Sequence, residues 1–281
     1  MNGKLPLLPI GTMLRLKADG NNDEYIDFMG SCGMECCQVC RLNEDYLKGG
    51  VDNAKSQAAL QRFAKYSIRP VSIFLCYKAP SDGNGLVTPE LRTERFTFAF
   101  RQMLWAKRQN IPWISCHAGV FPEPGSQEYS SFVNDMREFA DFAADLGQSF
   151  LFETGPEPLE VIELLLQDIG KENVGLNFDP ANLLLYDKSD PEVFAERLFH
   201  KIFLIHCKDG KRPMPGEKLG RETPLGEGDT NFRNLLSALL KRGFRGPLIL
   251  ERETAISKEH FDDQAAAVQM LKEIRKPFVG S

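Results

Sequence analysis

A single (β/α)8 (TIM) barrel spanning residues 1–281 is the fold this sequence predicts, on three observations. Eight short, apolar, β-type runs recur along the chain. A segment of helical periodicity follows each run, and no linker or low-complexity tract separates them. The runs fall at 9–14, 34–39, 71–77, 113–117, 149–153, 174–179, 202–206 and 247–251. Most are continuous rather than alternating, the pattern of strands covered on both faces. The competing arrangement is an open, doubly wound sheet. That fold usually carries a Gly-rich phosphate turn after its first strand, and Ile10-Gly11-Thr12-Met13 is not one.

The intervening helices can be read in order. Thr88-Pro89-Glu90 opens the segment containing Phe96, Phe100 and Met103, with proline at the first helical position. Phe132, Met136, Phe139, Ala143 and Leu146 fall on one helical face, and Gly147 stands where a C-terminal cap belongs. Leu159, Ile162, Leu165 and Ile169 repeat the pattern up to Gly170. A further helix starts at Asp229 or Thr230, carries Phe232, Leu235, Leu236, Leu239 and Leu240 on one face, and stops at Gly243. The last helix covers about 264–274.

Composition narrows the function classes. Hydrophobic residues are 42% and charged residues 26% of 281, which excludes a disordered chain and gives enough length for a core without disulfides. A net charge of −5 disfavours nucleic acid or an anionic membrane as partner. The apolar runs are too short to span a bilayer, and the stretch from Leu5 to Leu8 lacks the features of a secretory signal. Seven cysteines, an odd number, are expected to be reduced thiols in a cytoplasmic protein.

The chemistry collects at strand ends, where a barrel of this type places its active site. Phe150-Leu151-Phe152 ends in Glu153, and Gly175-Leu176-Asn177-Phe178 ends in Asp179. Phe203-Leu204-Ile205 ends in His206, and Leu248-Ile249-Leu250 ends in Glu251. Closing the barrel points all four toward one axis. Three carboxylates and an imidazole cannot share a low-dielectric site unpaired, and one divalent cation resolves the conflict. Oxygen donors with one nitrogen suit Mn²⁺ first, with Mg²⁺, Co²⁺, Zn²⁺ or Fe²⁺ as alternatives.

These strand ends carry a resemblance. Leu151-Phe152-Glu153-Thr154, the stretch from Gly175 to Asn182, Ile205-His206-Cys207-Lys208-Asp209 and Leu250-Glu251-Arg252-Glu253 are similar to the xylose-isomerase-like barrel superfamily. Within it they most resemble the sugar phosphate isomerase/epimerase group, with its ketose 3-epimerases and inosose-processing enzymes. The likeness runs from His117 to Glu253 and includes Pro224-Leu225-Gly226-Glu227-Gly228-Asp229; before His117 it is one of architecture. It implies a metal on Glu153, Asp179, His206 and Glu251, with the two glutamates flanking the substrate carbon. It also implies a small sugar or keto-sugar, free or phosphorylated, as partner, and relatives are often dimers or tetramers. One departure bears on substrate identity: the ketose epimerases carry histidine where this chain has Asn182, and an amide can bond a substrate oxygen but cannot carry a proton. Metal-dependent apurinic endonucleases of the same superfamily use three metals and many histidines, whereas this chain has four histidines in all.

Other residues admit two readings. His117, in Ser115-Cys116-His117-Ala118-Gly119, is a substrate contact or general base beside the metal, or else a strand-end histidine bonded to backbone. Lys208, Lys211, Arg212, Lys218 and Arg221 form either a solvated charge run or a lid over substrate, with Lys208 or Arg221 on its oxygens and Gly210, Gly216 and Gly220 allowing movement. Cys32, Cys36, Cys37 and Cys40 invite a metal reading, but Cys36 and Cys37 are neighbours in a strand and face opposite ways. Small buried hydrophobes are the better account. His200 and His260 are expected on the surface, and Gly226-Glu227-Gly228 is a turn rather than a phosphate cradle.

The expected reaction is proton transfer next to a carbonyl through an enediolate. One glutamate removes the proton and the other returns it, giving epimerisation or isomerisation, with His117 as base if coordination weakens the glutamates. A positioned base supplies only about 10²–10⁴-fold, so a metal must polarise the carbonyl. The alternative is a lyase of the same fold, a keto-inositol dehydratase or a 3-keto-glycoside-cleaving enzyme, in which the same proton abstraction drives β-elimination.

Overall fold

Period-two alternation in short strands decides which side chains enter the barrel, and closure decides where they meet. The computed structural model describes residues 7–49, 53–75, 85–86, 91–119 and 121–279. Its parallel strands are β1 (Ile10–Arg15), β2 (Cys36–Cys40), β3 (Arg69–Phe74), β4 (Trp113–Cys116), β5 (Ser149–Glu153), β6 (Val174–Phe178) and β7 (Ile202–Cys207). The eighth stave, β10 (Leu248–Leu250), pairs with β7 on one side and β1 on the other, so the sheet closes. This is the predicted (β/α)8 barrel. Between β7 and β10 the chain adds an antiparallel hairpin, β8 (Asp209–Lys211) with β9 (Arg221–Thr223), which the apolar-run pattern does not reveal.

The covering helices include α1 (Asp23–Ser31), α3 (Ala54–Lys65), α4 (Arg92–Arg108), α5 (Gln127–Asp145), α6 (Leu159–Ile169), α8 (Pro191–Leu198), α9 (Phe232–Arg242) and α10 (Lys258–Arg275). Two short ones, α2 (Glu44–Leu47) and α7 (Pro180–Leu185), lie among them. Gly147, Gly170 and Gly243 take the left-handed conformation after α5, α6 and α9, as their positions predict. The predicted helix opening at 88–90 and the last two residues of the third predicted strand lie outside the described residues.

Three of the boundaries that differ from expectation have a clear local cause. β2 begins at Cys36 rather than 34, because the N–H groups of Gly33 and Met34 still close α1 by donating to Gly30 and Met29. α9 begins at Phe232, not at Asp229 or Thr230, because the Thr230 amide and hydroxyl both donate to the Asp209 carboxylate and Asn231 is left-handed. α10 starts six residues before its predicted position, with Ser257 accepting from the His260 amide; its polar first turn hides the apolar period.

Alternation sorts side chains into two cores. Cys37, Val39, Phe150, Phe152, Ile205, Leu248 and Leu250 pack outward under the helices. Cys36, Val71, Leu151, Leu204 and Ile249 form a second cluster inside the barrel. Cys36 and Cys37 thus face opposite ways, and burial raises both thiol pKa values. A Cβ at Gly11 would lie 2.0 Å from the Cys36 carbonyl oxygen, so only glycine fits that interior position.

Two buried polar knots were not legible in the sequence. His260 is only 3% exposed, a correction to its expected surface position. Its Nε2 lies 3.2 Å from the Tyr25 hydroxyl and its Nδ1 3.0 Å from the Thr254 hydroxyl, while Tyr25 reaches Thr12 on β1. The knot ties the first and last elements across the barrel seam. In the other, Asp209 (1% exposed) accepts from the amides of Gly210, Gly226 and Thr230 and from the Thr230 hydroxyl. Gly228 is forced by this carboxylate, since a Cβ there would lie 2.1 Å from Asp209 Oδ1. The Gly226-Glu227-Gly228 turn is therefore folded around a buried acid.

Removing the Asp209 charge by Asp209→Asn should cost about 2–3 kcal/mol, because all four donors lose a charged acceptor and the amide nitrogen cannot accept at all. Urea unfolding tests this, and a change below about 0.5 kcal/mol would show the turn to be self-sufficient. His260 has its pKa lowered by burial and by the charges of Arg15 and Arg252. Below its ordinary 6.5 the unfolded chain takes up a proton that the folded chain refuses, so this stability is complete above that pH and lost as pH falls toward the folded value. Wild type should therefore lose stability more steeply than His260→Gln between about pH 7 and 5. Parallel curves would contradict the assignment.

Candidate metal centre and active site

The strand alternation that puts Leu151, Leu204 and Ile249 in the interior core puts the residue two places later at the barrel mouth. Those residues are Glu153, His206 and Glu251. Asp179 joins them one residue after β6, where it also caps α7: its Oδ1 accepts from the Asn182 amide at 3.0 Å, with Pro180 at the first helical position. Thr154 locks that corner by donating to the Asp179 carbonyl and accepting from its amide. The result is one ligand atom from each of Glu153, Asp179, His206 and Glu251, all within 4.8 Å of one another and all buried. The four predicted residues converge.

Their chemistry fits a divalent cation. His206 Nδ1 lies 2.8 Å from Glu153 Oε1, 3.0 Å from Glu251 Oε2 and 3.9 Å from Asp179 Oδ2. Neither His206 Nδ1 nor Asp179 Oδ2 has an aligned hydrogen-bond partner despite full burial. The other ring nitrogen, Nε2, lies 2.8 Å from Gln38 Oε1, with the Asn177 amide alongside at 2.9 Å. Gln38 is itself oriented by the Ser72 and Ser115 hydroxyls at 3.0 Å and 3.2 Å. Gln38 Oε1 is thereby turned to the ring, where it can accept from Nε2–H, and Nδ1 is the atom aimed at the carboxylates and available to a metal. That is the geometry of a metal-ligating histidine whose far nitrogen is held by an outer partner.

The electrostatics agree. Burial opposes charging His206, but the fields of Glu251, Asp179 and Glu153 outweigh it and raise its pKa well above the ordinary value. Burial pushes Asp179 upward, and the neighbouring carboxylates add to this against Lys208 and His206. Glu251 is held down against burial by Lys208 and His206, and Glu153 by His117. The pocket demands positive charge, and a divalent ion meets that demand with the donor set present.

The remaining predicted residues divide. His117 stands at the mouth with its side chain 46% exposed, and its Nε2 lies 2.8 Å from Glu153 Oε2. Desolvation opposes its protonation, yet Glu153 raises its pKa to about 9. Phe74 walls both histidines, edge-on to His117 and stacked on His206. Lys208 is buried, its Nζ 3.1 Å from Glu253, 3.3 Å from Asn182 Oδ1, 3.5 Å from Glu251 and 3.7 Å from Asp179. Asn182 also donates to the Thr154 carbonyl. Arg221 is not brought to the cluster: it opens β9, exposed and opposite Lys211.

The hairpin is less free than a hinged lid. The Gly220 amide donates to the Leu185 carbonyl, and a Cβ on Gly210 would lie 2.8 Å from the Leu185 side chain. Those two glycines permit close packing on α7. β9 also braces the end of β10, since Glu222 accepts from the Glu253 amide and pairs with Arg252 at 2.7 Å. Gln38, Thr154 and Glu222 are site-supporting residues that the motif reading missed. Gln38 had a signal, being a lone amide in the otherwise apolar run Cys36-Cys37-Gln38-Val39-Cys40.

Comparison with known proteins agrees with this arrangement. A family model described as a xylose isomerase-like TIM barrel matches residues 26–275, and the chain belongs to that family. An inosose dehydratase of Clostridium botulinum (strain Alaska E43 / Type E3) is 25% identical over 194 residues, 59% of this chain. That match spans 64% of the relative, just under two thirds of its length. A solved xylose isomerase domain protein from Planctomyces limnophilus aligns with a TM-score of 0.84 and 27% identity, covering 97% of this chain and 98% of that one. A D-tagatose 3-epimerase-like protein shares the fold, with a TM-score of 0.73 and 18% identity over 96% of this chain and 99% of that one.

Gln38→Ala should weaken divalent-metal affinity by roughly 10–100-fold, because the imidazole loses the partner that fixes its tautomer. Titrating metal-stripped protein with Mn²⁺ and following its melting temperature tests this. An unchanged affinity would show that the outer amide does not set the ligand.

Proposed function

We propose that the protein is a metal-dependent isomerase or epimerase of a ketose or keto-sugar, working by proton transfer next to a carbonyl. The convergence of Glu153, Asp179, His206 and Glu251 within 4.8 Å, with Glu153 also bonded to His117, carries the reading. These four residues would hold one divalent ion, Mn²⁺ by preference with Mg²⁺, Co²⁺ or Zn²⁺ as alternatives, supplying Lewis-acid polarisation of the carbonyl. Free cysteines throughout the described residues fit a cytoplasmic setting.

The chain's own groups supply the remaining chemistry. Glu153 takes the proton from the carbon beside the carbonyl, leaving an enediolate, and Glu251 returns one from the other face. His117 links buried Glu153 to solvent at 2.8 Å, so the abstracted proton has a route out. Asn182 and Lys208, at the edge of the cluster, are assigned to substrate oxygens. Arg221 would reach a substrate only from the rim. Lys208, held charged by Glu251, Asp179 and Glu253, keeps the acid-rich site from excess negative charge.

A second reading is favoured by one observation, the similarity to an inosose dehydratase. The same proton abstraction then expels a β-hydroxyl as water, and Asn182 suits it because the residue beside the substrate need only hydrogen-bond.

Incubation of keto-sugars in deuterated water with Mn²⁺ separates the two. Deuterium at the epimerised carbon is expected, and release of water with no stereoisomer formed would replace the isomerase with the lyase. Glu153→Gln should lower kcat by at least about 10²-fold at saturating metal. Full activity in that variant would remove Glu153 as the proton carrier. His117→Ala should slow exchange of the abstracted proton with solvent, read as reduced deuterium incorporation per turnover. Unchanged incorporation would exclude the relay.

A further inference from the structure

One cation at the barrel mouth has no carboxylate partner of its own among the described residues. On β1, Gly11, Met13 and Arg15 share one face, and Met13 packs on the interior cluster of Leu151, Leu204 and Ile249. That face therefore looks into the barrel. Gly11 is in register with Ile249, which sets Met13 level with Glu251. Arg15 stands one two-residue step above, about 6–7 Å further along the strand. On its other side Arg15 is in register with Cys40, and Cys40 with Phe74, the ring that walls His117 and His206. Arg15 is half-buried, and its charge is felt by Glu251 and by His260 behind the strand.

The neighbouring cations are already matched. Lys208 lies against Glu251 and Glu253, His117 against Glu153, and Arg252 between Glu222 and Asp263. Among the described residues, no ion pair or hydrogen bond engages the Arg15 guanidinium. Its N–H donors form a planar fork that fits an oxyanion, and partial burial withdraws some of the water that would otherwise serve them.

We propose that Arg15 is a specificity-determining residue that holds an oxyanion, phosphate or carboxylate, at the end of the substrate away from its carbonyl. This names the substrate class of the keto-sugar site as anionic and rests on that reading. The four-residue cluster takes the reacting end, and Arg15 stands one step out from it, where the far end of a bound sugar chain would lie. A charge-assisted pair with a half-buried guanidinium changes affinity by about 10–100-fold.

The test uses full-length protein loaded with Mn²⁺. D-fructose, D-fructose 6-phosphate and 5-keto-D-gluconate are titrated by calorimetry into wild type, Arg15→Ala, Arg15→Lys and Arg41→Ala. Wild type is expected to bind at least one of the two anions about tenfold or more tighter than D-fructose. Whichever anion does so identifies phosphate or carboxylate as the group held. Arg15→Ala should lose about 10–100-fold for that anion and less than about twofold for D-fructose, with Arg15→Lys in between. Arg41 is exposed one position past Cys40, so Arg41→Ala removes a nearby surface charge and should leave the preference unchanged. Metal stoichiometry should be the same in all four proteins. Neutral and anionic compounds binding wild type equally, equal losses for both in Arg15→Ala, or the same loss in Arg41→Ala overturns the role of Arg15 and leaves the keto-sugar reading standing. Failure of every compound to bind metal-loaded wild type overturns that reading, and this inference with it.

Discussion

Three carboxylates and an imidazole packed within 4.8 Å, all out of water, form an arrangement that elementary electrostatics forbids without compensating positive charge. Much of the barrel mouth can be understood as a response to that constraint. Lys208 is buried against Glu251 and Asp179. His117 closes on Glu153, and Gln38 holds the far nitrogen of the one imidazole so that its Nδ1 faces the acids. What remains unbalanced could be met by a divalent cation, since the cluster offers oxygen donors with one nitrogen.

The barrel achieves this convergence with little local specialisation. A strand places every second side chain on one face, so an apolar interior layer of Leu151, Leu204 and Ile249 and a charged layer two residues later come from the same three strands. The first layer is fully buried and apolar, and the second stands directly above it. Asp179 is the exception: it lies just beyond β6 and owes its position to capping α7, which leaves one oxygen for the site.

Around the mouth, support comes from elements that carry no apolar pattern. The β8–β9 hairpin packs on α7 through glycines that allow close approach, and Glu222 anchors the chain after Glu251. Asp209 gathers three amides and a hydroxyl and so shapes the turn before α9. On the opposite seam, His260 and Tyr25 join the last helix to the first strand. These groups hold the loops around the four-residue cluster.

The sequence by itself determined the architecture and the four strand-end residues that converge, because both are written in short-range signals. Apolar runs of strand length, helical periodicity, glycine caps and an ionisable residue at four consecutive strand ends can each be read within about ten residues. Only the tertiary structure decided the partners of those residues. Gln38 meets His206 across 168 positions, Tyr25 meets His260 across 235, and Lys208 meets Glu251 across 43. A buried polar side chain finds its partner through closure of the barrel, and no local pattern encodes that distance. The same reason explains why His260 looked like a surface residue and why Arg221, promising in a charged loop, ends on the outer hairpin instead of at the cluster.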